Sequence, residues 1–309
     1  MHRQIRPGDR AEATRLDLVL EELGESGSFP GLAVEVTREV LVLHFIESMR
    51  RNRYVDRIRD TPHSKRVLGF DRDIFDPLMG AMVRWREGDI DDACWLVFLS
   101  VHFGRHRRGR WALTCNFYNR LGGGGLWDWH SVRADVAATR RWLDANQIAL
   151  KAEDAGFGNH RKYESLDGTG LNGTGETIES YVHWVGESHT SRLPIDNSDN
   201  GTGDFASLFG SMSAVHRFGR TAKFDYLTML GKLGIADLRP DRAYLNGATG
   251  PLSGARLLIS GSRNAHTAPA DLERALSQLQ LAIDYPFDVI EDALCNWQKS
   301  PRRFIAFRG

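Results

Sequence analysis

The chain has 309 residues, of which 41% are hydrophobic and 26% charged. That is enough apolar material for one large or two modest folded domains, and it excludes a disordered polyampholyte. Its 40 Lys and Arg balance its 40 Asp and Glu, so no overall basicity announces a nucleic-acid partner, and any such site must come from local clustering of cations.

Cys94, Cys115 and Cys295 stand far apart with no CxxC pair, which argues against a disulfide framework and against a cysteine zinc centre. The first twenty residues carry early arginines without a long apolar core, and no run of about 18 apolar residues occurs. Neither a secretory signal nor a membrane span is expected, and a cytoplasmic location is the plain reading.

Val36, Val40, Leu43, Ile46 and Met49 recur at helical spacing and predict a helix from Leu32 to about Ile58, with Arg50, Arg51, Arg53, Arg57 and Arg59 along its exposed face. A second helix is expected from Ile74 to Trp85. Gly88 and Asp89 end it and cap a third, from Ile90 to about Phe103, which is apolar on most sides and therefore central to the core. Arg105, Arg107, Arg108 and Arg110 crowd a short turn before a helix through Tyr118, which Gly122 to Gly125 end.

A helix over roughly Ser131 to Asn146 follows. Another, carrying Ile178, Tyr181, Val182 and Val185, lies between Gly- and Asn-rich loops near 167–175 and 196–204. A strong helix is expected at about 212–235, with Val215, Phe218, Ala222, Met229, Leu230 and Leu233 near one face. Two amphipathic helices, about 270–283 and 286–298, and a basic tail close the chain. There is no internal repeat and no series of alternating strands, so the fold class is mainly α. The loop at 191–204 is the best candidate for a subdomain boundary.

Four strings carry the most chemistry: NHRKYESL (159–166), RFGRTAKFDY (217–226), GATGPLSGARLL (247–258) and DALCNWQKS (292–300). Together, and in this order, they resemble the α-glutamyl/putrescinyl thymine pyrophosphorylase family, its third clade in particular, over roughly residues 90 to 305. The resemblance implies an N-terminal helical region over 1–88 and a catalytic domain over 89–309 with the helical architecture of helix-hairpin-helix DNA glycosylases. It also implies a reaction on DNA: pyrophosphate on a 5-pyrophosphoryloxymethyl-uracil base is replaced by an amine or amino acid. DNA and that co-substrate are the expected partners, pyrophosphate the expected product.

Such a displacement needs cations or amides to hold the leaving charge, access to the base, and a group to deprotonate the amine. In NHRKYESL, Arg161 suits a bidentate phosphate contact beside His160, Lys162 offers a point charge, Tyr163 a stacking face and Glu164 a base. The plain alternative is a solvated turn with a surface ion pair. In RFGRTAKFDY, Arg217, Arg220 and Lys223 are three apart along the expected helix with Asp225 close by. That pattern suits a phosphate-facing wall with a base or arginine orienter, and equally a helix surface laced with ion pairs.

GATGPLSGARLL resembles a hairpin whose amides meet DNA backbone, with Gly247 and Gly250 separated by two residues rather than one, and Leu252 and Ser253 where a lyase would carry its lysine. Asp271, after Pro269, either takes the place of a glycosylase aspartate or is an ordinary acid in a helix's first turn. In DALCNWQKS, Asp292 offers a carboxylate as catalytic base or orienter, and Asn296 and Gln298 carry the paired donors and acceptors that read a base edge; docking of Leu294 and Trp297 on the core is the alternative.

The GxGxxG within 167–175 follows no expected strand and reads as a connector or a phosphate cradle. His102 and His106 lack a third ligand, so no metal site is assigned, no cofactor is evident, and Mg²⁺ on the pyrophosphate is chemically reasonable without a readable ligand set. An N-glycosylase excising a modified base, or a DNA-binding protein without catalysis, are the competing functions.

Overall fold

The computed structural model describes residues 5–195 and 204–306. Among them the chain forms fifteen α-helices and no β-strand, so the mainly α expectation holds. In chain order they are α1 (Arg10–Glu25), α2 (Glu35–Asp60), α3 (Pro77–Arg86), α4 (Ile90–Phe103), α5 (Ala112–Tyr118), α6 (Trp129–Ala134), α7 (Val136–Ala145), α8 (Gln147–Leu150), α9 (Thr174–Val185), α10 (His189–Arg192), α11 (Phe205–Ser211), α12 (Arg220–Lys232), α13 (Gly250–Ser260), α14 (Pro269–Ile283) and α15 (Phe287–Trp297). No helix among the described residues is long and apolar enough to cross a membrane. The expected boundary loop at 191–204 falls mostly on 196–203, outside the described residues.

Contacts divide the chain into two compact units: Met1–Tyr54 with Pro240–Phe307, and Val55–Arg239. In the first, Leu16, Leu20, Phe45, Leu258, Leu276 and Trp297 are fully or nearly fully buried in one apolar cluster. Gly250 and Gly254 lie one helical turn apart on α13, where it meets α15. A Cβ on Gly250 would stand 2.6 Å from Cys295 Sγ, and one on Gly254 would collide with the Leu294 carbonyl oxygen. The glycine spacing in GATGPLSG therefore serves close helix packing. Gly247, at φ +77°, makes the turn ahead of α13 in a backbone region that disfavours other residues.

In the second unit α4 is the axis. Every residue from Asp92 to Phe103 except Val101 is buried, and α3, α5, α6, α10 and α12 pack around it. Asp89 caps it by accepting from the Asp92 amide at 3.2 Å. Pro77 opens α3, three residues later than the periodicity suggests, because Asp76 accepts from the Leu78 and Met79 amides at 2.9 and 3.1 Å and fixes the start there.

Two expected helices are broken. The one over Ser131 to Asn146 splits at Asp135, whose backbone leaves the helical region (φ −149°, ψ 80°) and whose carboxylate caps α7 through the Ala138 amide at 2.8 Å. The one over 212–235 is a 3₁₀ turn (Met212–Ala214), a bend, and then α12 from Arg220. The bend is held by contacts remote in sequence, since the His216 amide donates to Ser180 Oγ at 2.9 Å. Arg217 sits at φ +55°, left-handed, and cannot continue a helix.

Candidate active site

The site grows from the C-terminal end of α4. Gly104 there adopts φ +68°, and a Cβ on it would lie 3.1 Å from the Gly158 Cα. Gly158 donates to the Phe103 carbonyl at 2.8 Å, so two backbones run in contact and aim the segment 159–166 across the end of α4. That segment turns once as a 3₁₀ helix (Asn159–Arg161) and is closed by the Glu164 amide donating to the Arg161 carbonyl at 2.9 Å.

Arg161 is driven inward. Its side chain is only 10% exposed; its Nε donates to the Val101 carbonyl at 3.2 Å and its guanidinium lies 5.3 Å from the Phe218 ring centre. Nη1 is 3.9 Å from Glu164 Oε1, and Nη2 is buried with no hydrogen-bond partner. Loss of hydration lowers the Arg161 pKa, opposed by the charges of Asp225 and Glu164. Glu164, 13% exposed, accepts from Arg217 Nε through Oε2 at 2.7 Å. The left-handed turn at Arg217 is what points its guanidinium back to this carboxylate.

Asp225 on α12 completes the group. It keeps access to solvent and makes no hydrogen bond or ion pair with described residues. Protein nevertheless surrounds it, and the resulting loss of hydration raises its pKa above the ordinary carboxylate value, with His160, Arg161, Arg220 and Lys232 pulling the other way. An accessible carboxylate with a raised pKa and no partner holds a proton to higher pH than an ordinary carboxylate does, which suits proton transfer.

The two strings NHRKYESL and RFGRTAKFDY, more than fifty residues apart in sequence, thus form one cluster: Arg161, Glu164 and Arg217, with Asp225 in the field of Arg161 and in that of His160, Arg220 and Lys232. The row of Arg217, Arg220 and Lys223 along one helix does not exist, because Arg217 precedes α12. Arg220 lies over the Phe224 ring at 4.6 Å. Lys223 donates to Ser213 Oγ at 3.0 Å, and burial lowers its pKa. Lys162 is exposed, its Nζ 4.9 Å above the ring of Tyr163, which is itself 83% exposed.

Gly247, Gly250, Asp292, Asn296 and Gln298 belong to the other unit. There Asp292 accepts from Arg51 Nε at 3.1 Å and from Asn296 Nδ2 at 2.9 Å, while Asn296 Oδ1 accepts from Lys299 at 2.9 Å. Gln298 Nε2 donates to the Cys295 carbonyl at 3.3 Å. Asp271 is exposed in the first turn of α14, bonded to Arg274 at 3.0 Å, which is the ordinary helix-terminus reading.

Three features carry no mark in the sequence. His102, fully enclosed, has its Nε2 3.0 Å from Thr174 Oγ1. That hydroxyl spends its proton on the Ser165 carbonyl at 2.7 Å, so Nε2 carries the ring proton and Nδ1 is left a buried acceptor without a partner. A buried chain runs from Asp91 to His189 Nδ1 at 2.7 Å, from His189 Nε2 to the Tyr181 hydroxyl at 2.8 Å, and on to the Tyr226 hydroxyl at 2.7 Å. Asp91 also opens on a cavity of about 220 Å³ with Asp89, Asp92, Asp128, Arg133 and Glu187 in its wall. Burial pushes the Asp92 carboxyl up to about 6, although Tyr118 and the Trp129 amide donate to it. Among the described residues no group of three or more His, Cys, Asp or Glu side chains is placed to hold a metal ion.

An all-helical chain with clustered arginines around an unpaired carboxylate belongs, by its sequence family, among enzymes of thymine hypermodification in DNA. The family model for alpha-glutamyl/putrescinyl thymine pyrophosphorylase clade 3 matches residues 36–309, and the chain belongs to that family. The match begins well ahead of residue 90, so α3 and all of α2 after Glu35 lie within the family's span together with the four strings. No curated protein and no solved structure matches the chain.

Proposed function

We propose that this protein replaces pyrophosphate on a 5-pyrophosphoryloxymethyl-uracil base in DNA by an amine or amino acid. The new C–N bond forms at the base methylene as the C–O bond breaks; pyrophosphate leaves with the bonding pair and the amine's proton passes to a carboxylate. The observation that carries this reading is Asp225, a reachable carboxylate with no partner and a raised pKa, facing a set of cations. Asp225 is the general base. Arg161 and Arg217 hold the leaving pyrophosphate, and Arg161 brings donor capacity that no protein group uses. Glu164 orients both guanidinium groups.

His160, Lys162, Arg220 and Lys223 contact DNA phosphate. The amides at Gly247 and Gly250 do so in the manner of a helix-hairpin-helix hairpin, Gln298 meets a base edge, and Asp292 orients Arg51, while Asn296, buried and bonded at both ends of its amide, holds Asp292 in place.

The test is incubation of the purified protein with duplex DNA carrying the pyrophosphorylated base and a pool of amines and amino acids. An amine-substituted nucleoside in mass spectrometry, with pyrophosphate released, is the expected result. Abasic sites would assign an N-glycosylase instead, and unchanged DNA with binding retained would assign a binding protein.

A further inference from the structure

The turn that follows α4 is built to present positive charge. His106 and Arg110 pair backbone to backbone, each amide donating to the other's carbonyl at 2.8 and 3.0 Å, and the Gly109 amide donates to His106 Nδ1 at 3.2 Å. The turn is also seated against the protein: a Cβ on Gly109 would lie 2.5 Å from the Asp154 carbonyl oxygen, and Gly104, at its base, meets Gly158. From this stiff hairpin Arg105, Arg107, Arg108 and Arg110 all project into solvent. None makes an ion pair or side-chain hydrogen bond with a described residue. In a chain of zero net charge, four unneutralised guanidinium groups within six residues repel one another, and a polyanion relieves that repulsion. Gly158, against which Gly104 packs, immediately precedes the segment that carries Arg161 and Glu164.

We infer that the Arg105–Arg110 hairpin is a clamp for the phosphate backbone of duplex DNA flanking the reacting base, an inference that rests on the proposed function for the identity of the polyanion. The absence of an exposed aromatic ring within 104–110, where Trp111 next in sequence is buried at 8% exposure, favours a duplex backbone over a single strand, whose bases need stacking faces. Arg133 and Arg140 are occupied by protein acceptors and do not serve this purpose.

The test measures binding of a labelled duplex of ordinary bases across a salt series, with wild type, the triple variant Arg105→Gln/Arg107→Gln/Arg108→Gln, and the corresponding triple Lys variant. Arg110 is left in place because its left-handed backbone closes the hairpin. The Gln variant is expected to bind roughly tenfold or more weakly, and to lose about 2.7 from the slope of log affinity against log salt, about 0.9 for each lost phosphate contact. The Lys variant is expected to keep the slope.

A wild-type slope and affinity in the Gln variant would overturn the inference, as would a wild-type protein with no salt-dependent duplex binding, or one in which only single-strand binding falls. Ordinary bases require no chemistry. A protein that binds in the expected way but releases no pyrophosphate therefore retains the clamp and loses the proposed reaction. One that turns over modified DNA while the Gln variant binds normally retains the reaction and loses the clamp.

Discussion

Arg217 Nε donates to Glu164 Oε2 at 2.7 Å, and this bond joins two segments that lie 53 residues apart. Glu164 is 13% exposed and Arg217 33%, so the pair is partly desolvated and breaking it from one side leaves an uncompensated charge. Glu164→Ala is expected to lower unfolding free energy by about 1–3 kcal/mol, more than Glu164→Gln, which keeps an acceptor oxygen. A double-mutant cycle with Arg217→Ala in chemical denaturation checks this; additive losses would show that the two side chains do not interact.

Asp225→Asn separates chemistry from stability. Loss of a general base costs roughly 10² to 10⁴ in rate. Because the folded pKa of Asp225 is raised, the folded state binds its proton more readily than the unfolded one, and the ionised group subtracts from stability as pH rises through that range. The variant is therefore expected to lose turnover while its thermal midpoint at neutral pH stays level or increases. In the wild type, turnover is expected to climb with pH as Asp225 ionises. Wild-type turnover in the variant would remove Asp225 from the reaction.

His102 predicts acid lability. Burial, with the charges of Arg161 and Arg217, pushes its pKa down to about 3 from 6.5. The unfolded chain thus binds a proton that the folded chain refuses, so stability is intact above about pH 6.5 and falls as pH drops toward 3, by about 1.4 kcal/mol per pH unit within that window. His102→Phe keeps a ring against Phe98, which the imidazole stacks on at 5.8 Å. It should remove that slope in denaturation curves taken from pH 7 to pH 4, leaving the share of His44, whose pKa burial lowers to about 4. An unchanged slope would mean that His102 titrates normally.

Tyr181→Phe cuts the buried chain at its middle. Asp91 accepts from His189 Nδ1, which leaves Nε2 to accept from Tyr181, whose oxygen accepts from Tyr226. The substitution strands both neighbours, at about 1–3 kcal/mol, whereas Tyr226→Phe removes only the terminal donor and should cost less. Equal losses in chemical denaturation would contradict that direction.

Gly254→Ala tests the first unit. The added methyl meets the Leu294 carbonyl, a backbone group that cannot turn aside. A loss of about 1–3 kcal/mol is expected in thermal unfolding, and a neutral result would show that α13 and α15 can separate freely.

The helices that were legible in the sequence are those whose own side chains decide them. α4 follows from an apolar run behind the Asp89 cap, and α14 and α15 from amphipathic spacing behind Pro269 and Pro286. The strings around 161 and 217 were legible as clusters of charge. What could not be read was the break at Val215 to Gly219, where apolar periodicity continues but the amide of His216 is captured by Ser180 and the guanidinium of Arg217 by Glu164. Nor could the roles of Lys162 and Asp225 be told apart, because both are single charged residues in polar strings. Surroundings separate them: Lys162 is an exposed cation beside Tyr163, while Asp225 keeps access to solvent, has no partner among the described residues and loses hydration to the protein around it.

By itself, then, the sequence determined an all-helical chain, its family, and which short strings hold the chemistry, since periodicity, caps and motif residues are local properties. The tertiary structure alone decided that Arg161 is buried, that Arg217 turns back to Glu164, and that Asp225 lies in the field of Arg161. Burial and partnership are set by residues far along the chain, and no local pattern records how much water a carboxylate keeps.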